Sequence, residues 1–429
     1  MLNEKFSFDS CLKWNGVSLV DLLKKHGSPL YVMNENQIKD NIYLIKNAAE
    51  NVFKSTKILF ASKACDFKDV YRICSDCGIG CDVVSLGEIY TAYQSGMNMN
   101  DVYFHGNSKT VEEIEFALKC NVGVLVIDNL EEIDRIQKEA IKQSKIQKVM
   151  VRITPGIDPH TYAAVSTGVV DCKFGCAITT GYALEVFERI LTCDHLELVG
   201  FHCHIGSQVF DSEVFRKGSK VMLEFIAYLY QRFSFKTQQL YLGGGFGVPY
   251  VESDSTLNID DVMKEIHDEV SSLCNTYNIE MPMILFEPGR SIVANAGVTL
   301  YTVNSVKKIV GGHNYVAIDG GMTDNPRYAL YGSKYTVLCA NKMNEEHVFK
   351  CTIAGKCCES GDIIARDVCL PESICVDDII VVFTTGAYNY SMSSNYNRNL
   401  KPAVIMLEDD KDKVVVKRET LEDLLRNDI

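Results

Sequence analysis

The sequence lacks any Lys/Arg-rich run, and its formal net charge is −13. Nucleic acids and anionic membrane surfaces both attract basic patches, so neither is an expected partner. No stretch approaches 18 continuous apolar residues, the length a membrane-spanning helix needs. The opening MLNEKFSFDSCLKWNG has neither the basic nor the apolar region of an export signal, so a cytoplasmic location is expected. There is no internal repeat or low-complexity linker, and the parts of the chain are expected to be tightly joined. What these absences leave is small-molecule chemistry.

The composition, 47% apolar and 23% charged, is that of an ordinary globular protein. At 429 residues the chain exceeds one ordinary domain but accommodates a barrel of roughly 250 residues and a second domain. Seventeen cysteines lie scattered through expected strands and helices; without an export signal they read as reduced, small hydrophobes. Cys74, Cys77 and Cys81 imitate a metal-binding spacing, yet the first two fall on an expected helix and no fourth ligand follows nearby. Packing is the expectation there.

Eight apolar, β-rich runs appear in order: KILFASKA, GCDVVS, DVYFHG, VGVLVID, KVMVRITP, LVGFHCHIG, LYLGGGFG and MILFEPG. Segments with helical spacing, such as VEEIEFALK and LEEIDRIQKEAIKQ, separate most of them. This α/β alternation predicts a (β/α)8 TIM-like barrel over residues 31–290. After Arg290 long helical patterns disappear, and VTLYTVNSVKKIV, YVAIDGG, HVFKCTIAG and DDIIVVFTTG predict a mostly β second domain, barrel- or sandwich-like. Residues 1–30 are expected to join residues 291–429 in it, with the first helix starting near Asn36.

Chemistry in such a barrel gathers at the C-terminal ends of its strands. Read in order, these ends are Lys63, Asp82, His105, Arg152, His204, the glycines Gly243, Gly244, Gly245 and Gly247, and Glu287 with Arg290. Any one of them alone is more often a solvated or hydrogen-bonded structural residue, and a glycine cluster also marks a tight turn. Together they point to one mouth. Backbone N–H groups of a glycine turn can cradle a phosphate, and barrels commonly bind phosphate around the last two strands. A lysine that can condense with an aldehyde, a carboxylate for a ring nitrogen and a phosphate cradle are what pyridoxal 5′-phosphate requires.

With these residues in view, the sequence resembles the fold-type III pyridoxal-phosphate decarboxylases, and within them the diaminopimelate-decarboxylating branch. FASKA, CDVVSLGE, FHCHIGSQ, GGGFGVPY, FEPGRS, DGGMTDNPRYALYG, GKCCESGD and GAYNYSMSSNYN carry the resemblance over essentially the whole chain. It implies a barrel plus a β domain, and a head-to-tail homodimer with active sites shared between subunits. It also implies decarboxylation of meso-diaminopimelate to L-lysine and CO2. Lys63 resembles the cofactor-bearing lysine and His204 the ring-stacking histidine. Asp82 and Arg152 resemble members of the polar network, and Glu287 resembles the acid at the ring nitrogen. Ser207, Gly243, Gly244, Gly245 and Tyr388 look like phosphate contacts.

By the same resemblance Arg290, Arg327 and Tyr331, with Tyr388, would hold the distal substrate carboxylate. Cys358 would be the proton donor, as a thiol titrating near 8.5 is protonated at neutral pH. Glu359 would meet the distal amine from the neighbouring subunit. Many relatives carry YAxKAN around the lysine, where this chain has Phe60 and Cys65, a departure that touches the pocket but not its chemistry. Four rivals remain: a same-fold decarboxylase of ornithine, arginine or carboxynorspermidine; an alanine racemase-like enzyme, which would need a tyrosine base and lack the CES segment; a non-catalytic paralogue, which would be expected to lose Lys63 or Cys358; and a TIM-barrel metal-dependent hydrolase built on the His202/His204 pair, which would want further ligands.

Overall fold

The computed structural model of the chain describes residues 5–157 and 171–429. They divide into two compact units, one of Lys39–Val248 with Thr256–Ile292, the other running up to Ile38 and including Pro249–Ser255 and Val293–Ile429.

The first unit is the barrel. Its strands are β1 (Thr56–Ala61), β2 (Gly80–Val83), β3 (Val102–Phe104), β4 (Val124–Ile127), β5 (Gln147–Thr154), β6 (Leu196–His202), β7 (Gln239–Tyr241) and β8 (Met283–Phe286). All neighbours are parallel and follow chain order; β8 pairs with β1 and the ring is closed. Strands of this kind are covered on both faces, which is why they read as continuous apolar runs. Alternate residues point inward: Leu59, Tyr103, Val126, Met150, Val199, Tyr241 and Leu285 fill the interior. Tyr103 and Tyr241 meet edge to face at 5.8 Å, and the Tyr103 hydroxyl donates to Gln239 at 2.9 Å. The surrounding helices begin on side-chain caps. Thr110 and Glu113 form a reciprocal capping box for Val111–Lys119, and Asn129 accepts the Glu132 N–H to open Leu130–Lys142.

The second unit is mostly β. Its strands after the barrel are β9 (Gly297–Lys307), β10 (Tyr315–Ile318), β11 (Val337–Cys339), β12 (His347–Ala354), β13 (Ile363–Pro371), β14 (Ile379–Phe383), β15 (Ala403–Glu408) and β16 (Lys411–Val416). β9 runs antiparallel to β10 with one half and to β14 with the other. The core gathers Trp14, Leu30, Val32, Leu300, Val381 and Ile405, and Trp14 stacks on Phe6 with centroids 4.8 Å apart.

The division differs from the one expected at residue 31. The strand Leu30–Asn34 pairs with both β9 and β15, so its backbone hydrogen bonds bind the chain as far as Ile38 to the β unit. A helix also precedes the one expected near Asn36: Leu19–His26 is capped by Ser18 and buries Leu19, Val20, Leu22 and Leu23. Among the described residues no helix is long and apolar enough to cross a membrane.

Candidate active site

Lys63 sits in a short 3-10 turn, Ser62–Ala64, directly after β1. Its neighbours Ser62 and Ala64 are buried while Lys63 itself is exposed, so the apolar run does not carry the lysine into the core. The turn is anchored from below: Ser62 Oγ hydrogen-bonds to the Asp82 carbonyl and lies 2.9 Å from Glu88 Oε2. Gly289 of EPGR abuts it, since a Cβ there would stand 2.9 Å from the Ala61 methyl, and Ala61 N donates to Pro288 O. The lysine turn and the EPGR segment are thus packed together as neighbours in the ring.

Glu287 follows β8 and is 4% exposed. His204 Nδ1 lies 3.0 Å from its Oε1 and His202 Nε2 lies 3.2 Å from its Oε2. Burial alone would raise this carboxyl, but the two histidines outweigh it and hold Glu287 well below the usual carboxylate range. Burial keeps both imidazoles below their ordinary values, His202 at about 4, so each is neutral at pH 7; His202 Nε2 can donate to the carboxylate, while His204 Nδ1 also faces the Gly244 N–H at 3.4 Å. Asp82 moves the opposite way: burial, then the Glu287 charge, push it well up, while Lys63 and Arg152 pull it down. The two carboxyls in the mouth are thus pushed in opposite directions.

The glycine run after β7 has a steric explanation. Gly243 and Gly245 have φ of 76° and 97°. A Cβ on Gly243 would lie 2.6 Å from the Cys203 carbonyl, one on Gly244 2.1 Å from the Glu287 carbonyl, and one on Gly245 2.0 Å from the Gly206 carbonyl. The run threads between the HCHIG segment and Glu287, a packing demand that exists with or without a bound phosphate. Arg290 donates to Ser207 Oγ at 3.1 Å, and Arg152 lies over the Phe174 ring at 4.4 Å.

His105, His202 and Glu287 each offer a ligand atom within 4.8 Å of the others, a set the hydrolase alternative would call on. Yet all three are buried, with His202 fully inaccessible. A catalytic ion needs an open coordination position, whereas the His105 and His202 rings are packed edge to face against each other and against Tyr241. The cysteines of the metal-like spacing are also packed inward. Cys74 lies in the helix Lys68–Asp76 with Cys77 at its C-terminal cap, and both are buried together with Cys81.

In the β unit, Arg327 opens the short helix Arg327–Tyr331 and is 7% exposed. Its guanidinium lies over three tyrosine rings, at 5.9 Å from Tyr250, 5.5 Å from Tyr331 and 5.5 Å from Tyr388. It donates to Ser333 Oγ at 3.2 Å, while its buried Nε has no hydrogen-bond partner among the described residues. This is no surface arginine after a turn. Tyr388 itself has a left-handed φ of 60°.

Cys358 and Glu359 occupy the exposed loop between β12 and β13, and Cys357 and Cys358 are both free thiols. The loop is tied down by Asp362. That carboxylate accepts the Cys357 N–H at 2.7 Å and the Met322 N–H at 2.6 Å, and it lies where Cβ atoms on Gly321 and Gly355 would be. Cys358 N donates to Asn397 Oδ1 at 2.9 Å. Asp362 therefore joins the Cys358 loop to the segment leading into Arg327. Sequence reasoning missed Asp362, Tyr250 and the His202–Glu287 contact. Asp362 and Tyr250 lie in segments singled out as motifs, but no spacing reveals their partners.

An ionised, buried carboxylate, an exposed lysine amine at the end of β1 and an imidazole on that carboxylate are the groups a protonated pyridine ring with an aldehyde arm would use, so the donor set fits pyridoxal phosphate. Barrel and site together define the class of pyridoxal-dependent decarboxylases, and residues 39–294 match the family described as "Pyridoxal-dependent decarboxylase, pyridoxal binding domain". The diaminopimelate decarboxylase of Bacillus subtilis (strain 168) is 40% identical over 97% of this chain and 95% of its own length. That of Staphylococcus aureus (strain COL) is 41% identical over 99% of each. The crystal structure of the M. jannaschii diaminopimelate decarboxylase in complex with L-lysine superposes with a TM-score of 0.93 at 33% identity, over 100% of this chain and 99% of that one. The chain belongs to the diaminopimelate decarboxylase family.

Proposed function

We propose that the protein is a pyridoxal-phosphate-dependent carboxy-lyase that converts meso-2,6-diaminoheptanedioate to L-lysine and CO2, the last step of lysine biosynthesis. Arg327 is the observation that carries the substrate assignment: a buried guanidinium among three tyrosines, with an Nε that lacks a partner among the described residues, suits the distal carboxylate that ornithine and lysine do not have.

Bound pyridoxal phosphate supplies an electron sink for the pair left behind when the carbon–carboxylate bond breaks. Lys63 would hold the cofactor through its amine. His204 would lie against the ring, Glu287 would keep the ring nitrogen protonated, and Asp82 and Arg152 would complete the polar network. Ser207, Gly243, Gly244, Gly245 and Tyr388 hold the phosphate. Arg290, Arg327 and Tyr331 take the distal carboxylate, and Glu359 of a neighbouring subunit takes the distal ammonium. Cys358, or a group it positions, returns a proton to Cα. The working unit is a homodimer with shared sites, acting in the cytoplasm on a small molecule and engaging neither nucleic acid nor membrane.

The test is incubation of the cofactor-loaded protein with meso-diaminopimelate, ornithine, arginine and lysine, following CO2 and amine product together. Production of L-lysine from diaminopimelate, with little turnover of the other three, is the expected result. Comparable turnover of lysine and diaminopimelate overturns the substrate assignment.

A further inference from the structure

The two oxygens of Glu287 face different surroundings. Oε1 meets His204, whose side chain keeps 14% of its surface accessible, whereas Oε2 meets His202, whose side chain keeps 1%. His202 is the last residue of β6, and Tyr241 and His105 close around its ring edge to face at 4.7 and 4.6 Å. Its second nitrogen, Nδ1, is buried and has no hydrogen-bond partner among the described residues. A proton on Nδ1 would be stranded, while one on Nε2 points at a carboxylate oxygen 3.2 Å away.

We propose that His202 is a positioning residue which, as the neutral Nε2–H tautomer, grips Glu287 from the barrel interior so that its outer oxygen is presented to the cofactor ring nitrogen. The inference rests on the assignment of Glu287 as partner of that nitrogen. If the ring nitrogen takes Oε1 and His204 lies on the ring face, the contact between Oε1 and His204 is given up. The bond to His202, with the Tyr241 side chain beside the same carboxylate, then fixes its rotamer. Burial, the largest influence on His202, keeps the imidazole neutral against the pull of Glu287, and Arg152 works in the same direction as burial. His105 packs edge to face against the His202 ring; its Nε2 is 3.8 Å from Asp82 Oδ1, beyond hydrogen-bonding range, so it supports the ring by contact.

The first measurement uses the unmodified protein without cofactor. With nine histidines in the chain, nitrogen-15 labelling of imidazoles resolves each tautomer, and His202, assigned by its loss in His202→Phe or His202→Gln, is expected to show a single proton on Nε2 from pH 6 to 8. An imidazolium or an Nδ1–H tautomer overturns the proposal. The second measurement loads nitrogen-15-labelled pyridoxal phosphate into the unmodified protein, His202→Phe, His202→Gln and Glu287→Gln. His202→Phe is expected to bind the cofactor at least tenfold more weakly and to move the ring-nitrogen resonance toward that of neutral pyridine, with His202→Gln, which keeps a donor, recovering most of both. Unchanged affinity and resonance in His202→Phe overturn the proposal. A ring nitrogen that stays protonated in Glu287→Gln shows instead that the assignment of Glu287 has failed. One tightly bound divalent metal per chain, lost in His202→Phe, replaces the positioning role with a metal site.

Discussion

The Arg327 guanidinium lies 5.5 Å from the centre of the Tyr388 ring, with Tyr250 and Tyr331 at similar range, yet its Nε finds no hydrogen-bond partner among the described residues. Aromatic faces offset part of the cost of burying a cation, but they leave its directional N–H groups short of an acceptor. A planar carboxylate is the ligand that matches both charge and fork geometry.

Arg327→Ala should therefore lose on the order of 2–4 kcal/mol of transition-state binding for diaminopimelate, read as kcat/KM, and much less for lysine or ornithine. Arg327→Lys should recover little, because an ammonium cannot reproduce the fork. Equal losses on all substrates would show that the residue supports the fold of its helix rather than reading the carboxylate.

Lys63→Ala should abolish turnover and the cofactor absorbance that depends on a covalent link to the protein. Its exposure at the end of β1, in a turn whose flanking residues are buried, makes the substitution one of function and not of packing. Borohydride trapping followed by peptide mapping is the check. A trapped cofactor on another lysine in the variant would remove the assignment.

Cys358→Ala should slow product formation far more than cofactor binding. Mixed with Lys63→Ala chains, it should regain activity if each site draws on two subunits, because one competent site then forms from two inactive chains. Verified heterodimers without activity would sink the shared-site arrangement.

Much of this architecture was legible because periodicity reports burial directly. Runs such as VLVI in β4 and MILF in β8 are apolar throughout because both faces of a barrel strand are covered. The strand Leu30–Asn34 looks the same locally, and nothing within it reveals that its hydrogen-bond partners, β9 and β15, come from residues hundreds of positions later. At the site, residue types pointed to a cofactor, whereas the pairings did not. That His202 would reach Glu287, or that Tyr250 would join Tyr388 at Arg327, depends on side chains from separate segments meeting. The glycines illustrate the opposite difficulty. GGGFG reads as a phosphate cradle, and the close carbonyls of Cys203, Gly206 and Glu287 give those glycines a second reason that sequence does not display.

Asp362→Ala should destabilise the β unit by about 2–4 kcal/mol, since the buried N–H of Cys357 and the part-buried N–H of Met322 would both lose their acceptor. Turnover should fall as the Cys358 loop loosens, while cofactor affinity should change little. Urea unfolding and a cofactor titration of the same variant separate the two. Unchanged stability would show that neither contact contributes.

The last prediction concerns pH. Asp324 is buried in the β unit, where its carboxylate accepts from the Tyr301 hydroxyl at 2.6 Å, the Gly321 N–H at 3.0 Å and the Thr323 hydroxyl at 3.1 Å. Burial outweighs these bonds and, with a smaller push from the nearby Asp362 charge, raises the carboxyl to about 6. In the unfolded chain an aspartate titrates near 3.9. Between those values the folded protein holds a proton that the unfolded chain has released, so this group's contribution to stability is complete below about pH 4 and is lost as pH rises through 6. The displacement corresponds to about 3 kcal/mol. Asp324→Asn is neutral throughout and keeps an acceptor for Gly321, so its stability relative to the unmodified protein should improve by about that amount between pH 4 and pH 7. Urea unfolding of both proteins across that range makes the comparison, and the difference cancels every other group that titrates. A difference that stays flat with pH would mean that Asp324 ionises in the folded state at its ordinary value, with its three donors fully offsetting the cost of burial.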